Sequence, residues 1–330
     1  MAVSLLRRMR RIRNFILTRR ECAQINPLVY NIRQYTQNER LRNYMKMIAA
    51  PFVYLKSLFI NTSVEGREGL AFVLIAKNEA PYIEEWINFH HKQGASHFFI
   101  YDNESTDNLR EVLTPYIEQG LVTYRLLKGR FRQYDAYNMA IHGYGKKFRY
   151  MAFLDADEFV FVRDENYRDK GFNLYKFVDD FMMSHENAGG IAVNWCIFGS
   201  SGHESKPEGG VLENYTMRSE DDFIGNLYGN LHVKTICDPL KVFYYAHPHF
   251  PVYRKGYYNL NENGETVIGP FTKKVSFSRI RINHYFSKSK EEFIRKKNRG
   301  NADNPFTRSM EDFYIHDQNV IHDTEILSHV

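Results

Sequence analysis

The chain is a series of apolar runs separated by polar loops, and from residue 70 the separation becomes regular. "LAFVLIA" (70–76), "HFFIY" (97–101), "LVTYRLL" (121–127) and "RYMAFL" (149–154) are short, dense in aliphatic and aromatic residues, and read as buried strands. Between them, "KNEAPYIEEWINFHHKQG" (77–94), "DNESTDNLREVLTPYIEQG" (102–120) and "RQYDAYNMAIHGYGKK" (132–147) each read as a loop followed by a helix, the first two stopping near Gly94 and Gly120. Strands that alternate with helices of this length predict right-handed crossovers and a mostly parallel sheet with helices on both faces. Such sheets bind ligands beyond the carboxyl ends of their strands. Asp102 and Asp155 both stand at such ends.

After residue 160 the rhythm loosens. A helix at 173–184 leads to the strand "GIAVNWCIF" (190–198), then to a glycine- and serine-rich loop, "GSSGHESKPEGG" (199–210). "HVKTICDP" and "VFYYAHPHF" read as further strands, and "SKSKEEFIRKKNRG" (287–300) as a basic helix. At the other end, "MAVSLLRRMRRIRNFILTRR" places Leu5, Met9, Ile12 and Ile16 on one helical face with arginines around it. A basic amphipathic helix of this kind suits an anionic membrane surface as well as it suits docking on its own domain. No stretch approaches the ~20 apolar residues of a membrane span. The expected division is an N-terminal segment over 1–65, a catalytic domain over 66–286 and a C-terminal helix and tail over 287–330.

Charge separates the head from the body. Residues 1–60 carry 12 of the 44 Lys and Arg but only two of the 39 acids, so the rest of the chain is slightly acidic. That argues against a nucleic-acid binder, whose basic patch lies on the folded domain. Three scattered cysteines, Cys22, Cys196 and Cys237, form neither a disulfide framework nor a zinc cluster and point to a reducing compartment. The 23 Tyr and 25 Phe exceed what strands alone would use, and exposed Tyr suits sugar or base surfaces.

The stretch "RYMAFLDADEFVFV" (149–162) sets Asp155, Asp157 and Glu158 between two apolar runs. Charges are seldom buried unless they are paired or hold a metal. Asp155 and Asp157, two apart at a strand end, are placed to converge on one hard divalent cation such as Mn²⁺ or Mg²⁺.

Together with "LIAKNEAPYIEEW", "IYDNESTDN", "NWCIFGSSGH" and "INHYFSKSKEEFIRK", this stretch resembles GT-A glycosyltransferases, in particular family 92 and family-2-like bacterial enzymes. The resemblance runs over roughly residues 70–300. It implies a GT-A (Rossmann-like) α/β fold and a metal-dependent, inverting transferase that uses a UDP-sugar, galactose favoured. It also implies site residues: Ala76, Lys77 and Glu79 near the nucleoside, Asp102 at uracil or ribose, and Asp155 and Asp157 on Mn²⁺ or Mg²⁺ against the diphosphate. His249 and His284 are the leading late histidines for a further metal ligand. Lys288, with Lys290, Arg295 and Lys297, would close over the phosphates. Glu204 is the expected base, with Glu220, Asp221 and Asp222 as a second acidic group, and Trp195 would stack on an acceptor sugar. The expected partners are a nucleotide-sugar donor, a glycan or lipid-linked acceptor such as lipopolysaccharide or capsule, and the inner-membrane surface through residues 1–20, with no nucleic acid. Two alternatives stand beside this reading: a haloacid-dehalogenase-like phosphatase with Asp155 as nucleophile, and an inactive membrane-attached scaffold.

Overall fold

The computed structural model describes residues 65–225, 228–245, 247–302 and 308–330. The basic helix expected over residues 1–20 lies outside the described residues, and with it the proposed membrane contact. Among the described residues no helix is long and apolar enough to cross a membrane.

β1 (Leu70–Ala76), α1 (Ala80–Lys92), β2 (Ala95–Asp102), α2 (Leu109–Glu118), β3 (Val122–Leu126), α3 (Gln133–Tyr144) and β4 (Tyr150–Phe153) follow in the expected order. β1 lies between β2 and β4, β3 flanks β2, and all four strands are parallel. The unbroken apolar run of β1 has a simple cause. Leu70, Phe72 and Leu74 pack on one side with Trp86 and Ile83 of α1. Ala71, Val73 and Ile75 pack on the other with Ala136, Tyr137 and Ile141 of α3. A strand covered on both faces has no polar side to show.

The chain continues through β5 (Glu158–Val162), α4 (Leu174–Ser184), β6 (Ala188–Ile197), the single turn α5 (Val211–Asn214), β7 (Met217–Arg218), β8 (Val233–Cys237), β9 (Val242–Tyr245) and β10 (Pro251–Tyr253). Then come β11 (Tyr258–Leu260), β12 (Thr266–Val267), β13 (Ile280–His284), α6 (Lys290–Arg299), α7 (Met310–His316) and β14 (Ile321–His322). The main sheet runs β12-β11-β6-β8-β4-β1-β2-β3, with β13 joining β6 and β5. The α/β architecture is the expected one, a mostly parallel sheet flanked by helices. One detail departs from a purely parallel reading: β8 enters antiparallel between β4 and β6. β13 in turn lies parallel to β6, setting Ile282 beside Trp195 and His284 beside Ile197. The carboxyl ends of β1, β2, β4, β6 and β13 therefore face one edge.

The C-terminal tail is fastened to this body by Asp323. Its carboxylate accepts from Arg218 Nε at 2.6 Å and from Arg281 Nη1 at 2.9 Å, and Arg281 is 0% exposed. Burial alone would raise the Asp323 carboxyl, but Arg281 outweighs it and lowers it from 3.8 to about 2. A depressed folded-state pKa contributes stability that is present above the unfolded value and lost as pH falls through the folded one. This group therefore adds about 2 kcal/mol at neutral pH, lost between about pH 4 and pH 2. Urea unfolding at stepwise lower pH should show that loss in the natural chain and not in Asp323→Asn. A parallel decline in both would remove the assignment.

Candidate active site

β4 ends at Phe153, and a tight turn through Asp155–Asp157 reverses into β5. Glu158 makes the turn: fully buried, it accepts the Asp155 N–H at 2.9 Å through Oε2, while its own N–H donates to the Asp155 carbonyl. Asp155 and Asp157 thus come forward from a turn rather than from the alternation of a strand. Each is met by a lysine from a distant element. Lys234 of β8, 1% exposed, brings Nζ to 2.8 Å from Asp155 Oδ2 and 3.6 Å from Glu158 Oε2. Gln133, opening α3, donates to Asp155 Oδ1 at 3.1 Å. Lys296 of α6 sets Nζ 2.5 Å from Asp157 Oδ2 and donates to the Phe286 carbonyl at 2.9 Å.

Burial opposes the charges of Glu158, Lys234, Asp157 and Lys296, and the outcome differs by partner. Burial lifts Glu158 well above the usual carboxylate range even against Lys234. For Lys234 the Asp155 carboxylate is the main charge that overcomes burial and holds the ammonium well above its ordinary value. For Asp157 the Lys296 ammonium overcomes burial and holds the carboxyl well below 3.8. Lys296 itself is pushed down to about 8 by burial.

Gln133, Asp155, Asp157 and Lys296 line a cleft of about 730 Å³ at the carboxyl edge of the parallel strands, with Glu158 and Lys234 buried behind it. Of the residues expected there from sequence, Ala76, Lys77, Glu79, Asp155, Asp157, His249 and His284 line it together. Glu79 pairs with Arg299, which also donates to the Lys77 carbonyl at 2.6 Å. His284 Nε2 lies 3.7 Å from Asp157 Oδ1. The His249 ring places Nδ1 2.8 Å from the Val233 carbonyl, so Nδ1 carries the proton and Nε2 keeps its lone pair. Burial holds His249 well below 6.5, which keeps the imidazole neutral.

Asp102, Lys288 and Glu204 are not brought to the cleft, nor are Lys290, Arg295, Lys297 and the acidic group Glu220, Asp221 and Asp222. Asp102 uses its carboxylate within the fold, accepting from the Ser105 N–H at 2.8 Å and from the Tyr124 hydroxyl at 2.6 Å, while Asn103 lines the cleft instead. Lys288 lines a smaller neighbouring hollow of about 360 Å³, its Nζ 3.3 Å from the ring centroid of Tyr82. Glu204 has a side chain 79% exposed and pairs with Lys290 at 3.1 Å on the outer surface. Trp195 does line the cleft, but the expected stacking on a sugar is blocked. One ring, His232, stacks on it at 4.6 Å and 22°, and His284 lies at 4.1 Å and 51°.

Two cations of the cleft wall, Lys296 and Arg299, are not singled out by the sequence, for a reason that can be named. On α6 the buried Phe293 marks the inward face, and Lys296 and Arg299 stand three and six residues on. Lys290 and Arg295, from the same basic run, pair outward with Glu204 and Glu291. Lys234 does carry a signal, as the single charge inside an otherwise apolar strand, a pattern that calls for a buried partner.

The arrangement has a cationic wall, Lys296 and Arg299, opposite an acidic turn flanked by neutral imidazoles. It suits a ligand that is itself polyanionic. Among the described residues no three His, Cys, Asp or Glu are gathered to hold a metal ion.

Comparison with known proteins gives the cleft a context. The family model for glycosyltransferase family 92 matches residues 75–323. A glycosyltransferase family 92 protein of Ricinus communis is 28% identical over 144 residues, 43% of this chain and 25% of that protein. One of Arabidopsis thaliana is 28% identical over 145 residues, again 43% and 25%. A galactan β-1,4-galactosyltransferase of Arabidopsis thaliana is 34% identical over 90 residues, 24% of this chain and 17% of that protein. The matches thus span about a quarter or less of these relatives. Among solved structures, S. aureus TarS 1–349 in complex with UDP-GlcNAc is similar at a TM-score of 0.39 and 14% identity, covering 74% of this chain and 63% of that one.

Proposed function

The chain belongs to glycosyltransferase family 92, and from that premise we propose that it moves a hexose, galactose favoured, from a UDP-sugar to a glycan or lipid-linked acceptor. The observation that carries the reading is the cleft in which Asp155 and Asp157 face Lys296 and Arg299 at the carboxyl edge of four parallel strands. A leaving diphosphate gains negative charge as the glycosidic bond breaks. Cations fixed in a dry site stabilise that charge without reorganising. Lys296 and Arg299 are so placed, each fixed by one acid, Asp157 and Glu79, and by a second bond to the Phe286 and Lys77 carbonyls. The activity for which the galactan galactosyltransferase is named supports galactose as the sugar and a β-1,4 galactan as the acceptor class.

The donor set suits Mn²⁺ or Mg²⁺ in one respect. Asp157 Oδ1 and His284 Nε2 stand 3.7 Å apart, too far to hydrogen-bond and near the separation of two ligands around one ion. Two protein ligands are few, but Mg²⁺ is commonly held by one or two carboxylates with substrate phosphates completing its shell. Asp157 and His284 would hold the ion, with Asp155 and the His249 Nε2 lone pair beside it, and it would act as a Lewis acid on the diphosphate. Inversion also belongs to the proposal and needs a base for the acceptor proton. Glu79 is held by Arg299, Glu104 accepts from the Gly129 N–H, and Glu204 faces outward, so none of the three is assigned as that base. Attachment to a membrane through residues 1–20 and an acceptor in lipopolysaccharide or capsule rest on sequence alone.

Calorimetric titration with UDP tests the reading. Binding that strengthens at least tenfold on adding Mn²⁺ is the expected result, and UDP-galactose should then turn over with a galactan acceptor. Binding indifferent to Mn²⁺ would remove the metal, and no binding of any nucleoside diphosphate would favour the scaffold.

A further inference from the structure

From the cleft at the carboxyl edge of the parallel strands, a line of aromatic rings runs to the surface. Trp195, at the end of β6, stacks on His232 at 4.6 Å and 22°. His232 meets Phe271 edge-on at 4.6 Å, and Phe271 stacks on Tyr228 at 4.2 Å and 24°. Tyr228, the outermost ring, is 53% exposed. The line is longer than one sugar ring, and it starts at a cleft-lining residue and ends in solvent.

The outer rings are held in place by backbone. Phe271 and His232 share an antiparallel bridge, the Val233 N–H donates to the Pro270 carbonyl at 3.0 Å, and the Thr272 N–H donates to the Leu231 carbonyl at 2.9 Å. Asn230, fully buried, donates to the Glu220 carbonyl and accepts the Ile197 N–H, tying the Tyr228 turn to β6. Tyr228 itself sits at φ +63°, uncommon for a bulky side chain. The next residue must be glycine, since a Cβ on Gly229 would stand 2.5 Å from the Phe223 carbonyl oxygen. A strained aromatic, half in water on a rigid turn, gives up stability to present a ring.

We propose that this path is the binding track for the acceptor, and that the acceptor is an oligosaccharide engaged over several sugar units, with a distal unit lying on the face of Tyr228 turned away from Phe271. Tyrosine fits such a position because its ring offers an apolar face to sugar C–H groups, its hydroxyl remains wet, and little side-chain entropy is lost. The inference rests on the transferase reading for the identity of the ligand.

The test uses the full chain with UDP present and a panel of defined oligosaccharides that includes β-1,4-galactan chains of increasing length. Affinity should rise with chain length, and Tyr228→Ala should cut the gain for long chains about tenfold, the worth of one good ring contact. Tyr228→Trp should restore it. Affinity independent of length, no glycan bound, or a Tyr228→Ala variant that keeps the full gain would each overturn the track. Titration with UDP scores the transferase reading separately: UDP bound without length dependence sinks only the track, whereas failure to bind UDP sinks the transferase reading.

Discussion

Replacing Lys234 by methionine should cost about 1–3 kcal/mol of folding stability, less than for a fully buried ion pair because the Asp155 side chain it meets is 38% exposed to the cleft. The side chain is 1% exposed and is the charged partner of Asp155 at 2.8 Å and Glu158 at 3.6 Å. Methionine fills much of the same volume, so cavity formation is a minor part of the loss and the missing charged hydrogen bond to Asp155 is the major part. Glu158→Gln should be far milder, because burial already favours the protonated acid and an amide oxygen can still accept the Asp155 N–H. Urea midpoints of the two variants check the pair. A Lys234→Met loss below about 1 kcal/mol would mean that water, not the lysine, neutralises the turn.

Asp157→Asn should lower kcat/KM for sugar transfer by about a thousandfold, the several kcal/mol expected where a cation on a leaving group loses its anchoring charge. The variant should stay folded, since Asn keeps the shape and Lys296 keeps its bond to the Phe286 carbonyl. Turnover within tenfold of the natural chain, at matched stability, would show that the charge on Asp157 is dispensable.

The first four strands and their helices are legible in the sequence because each signal is local: a short apolar run, then a polar loop, then a helix that stops near a glycine. The acidic turn is legible for the opposite reason, since three acids between core runs violate the local rule and demand a partner. Which partner is not written nearby. Lys234 reaches Asp155 only because β8 inserts antiparallel beside β4, and no period in "HVKTICDP" encodes that direction. The α6 cations are hidden by phase: the run "KEEFIRKKNR" is basic almost all round, and only the burial of Phe293 shows which cations face in. Glu204 misleads because a loop's direction depends on what it packs against, here Lys290 and the start of α6.

The insertion of β8 also bears on how the chain reaches its final form. β4 pairs with β1 on one side and on the other only with β8, through Met151 with Cys237 and Ala152 with Ile236. During synthesis β1 to β4 emerge early and can zip together, but β4 must wait as an open edge until residue 237 has left the ribosome. The same delay leaves Asp155 without its lysine, so the half-made sheet carries an unneutralised acid at its growing edge. Unpaired edges invite wrong partners, and a charge placed at the edge is one of the devices that discourage them. Asp155, in the turn just beyond β4, would then guard the nascent sheet, and β8 both covers that edge and removes the guard.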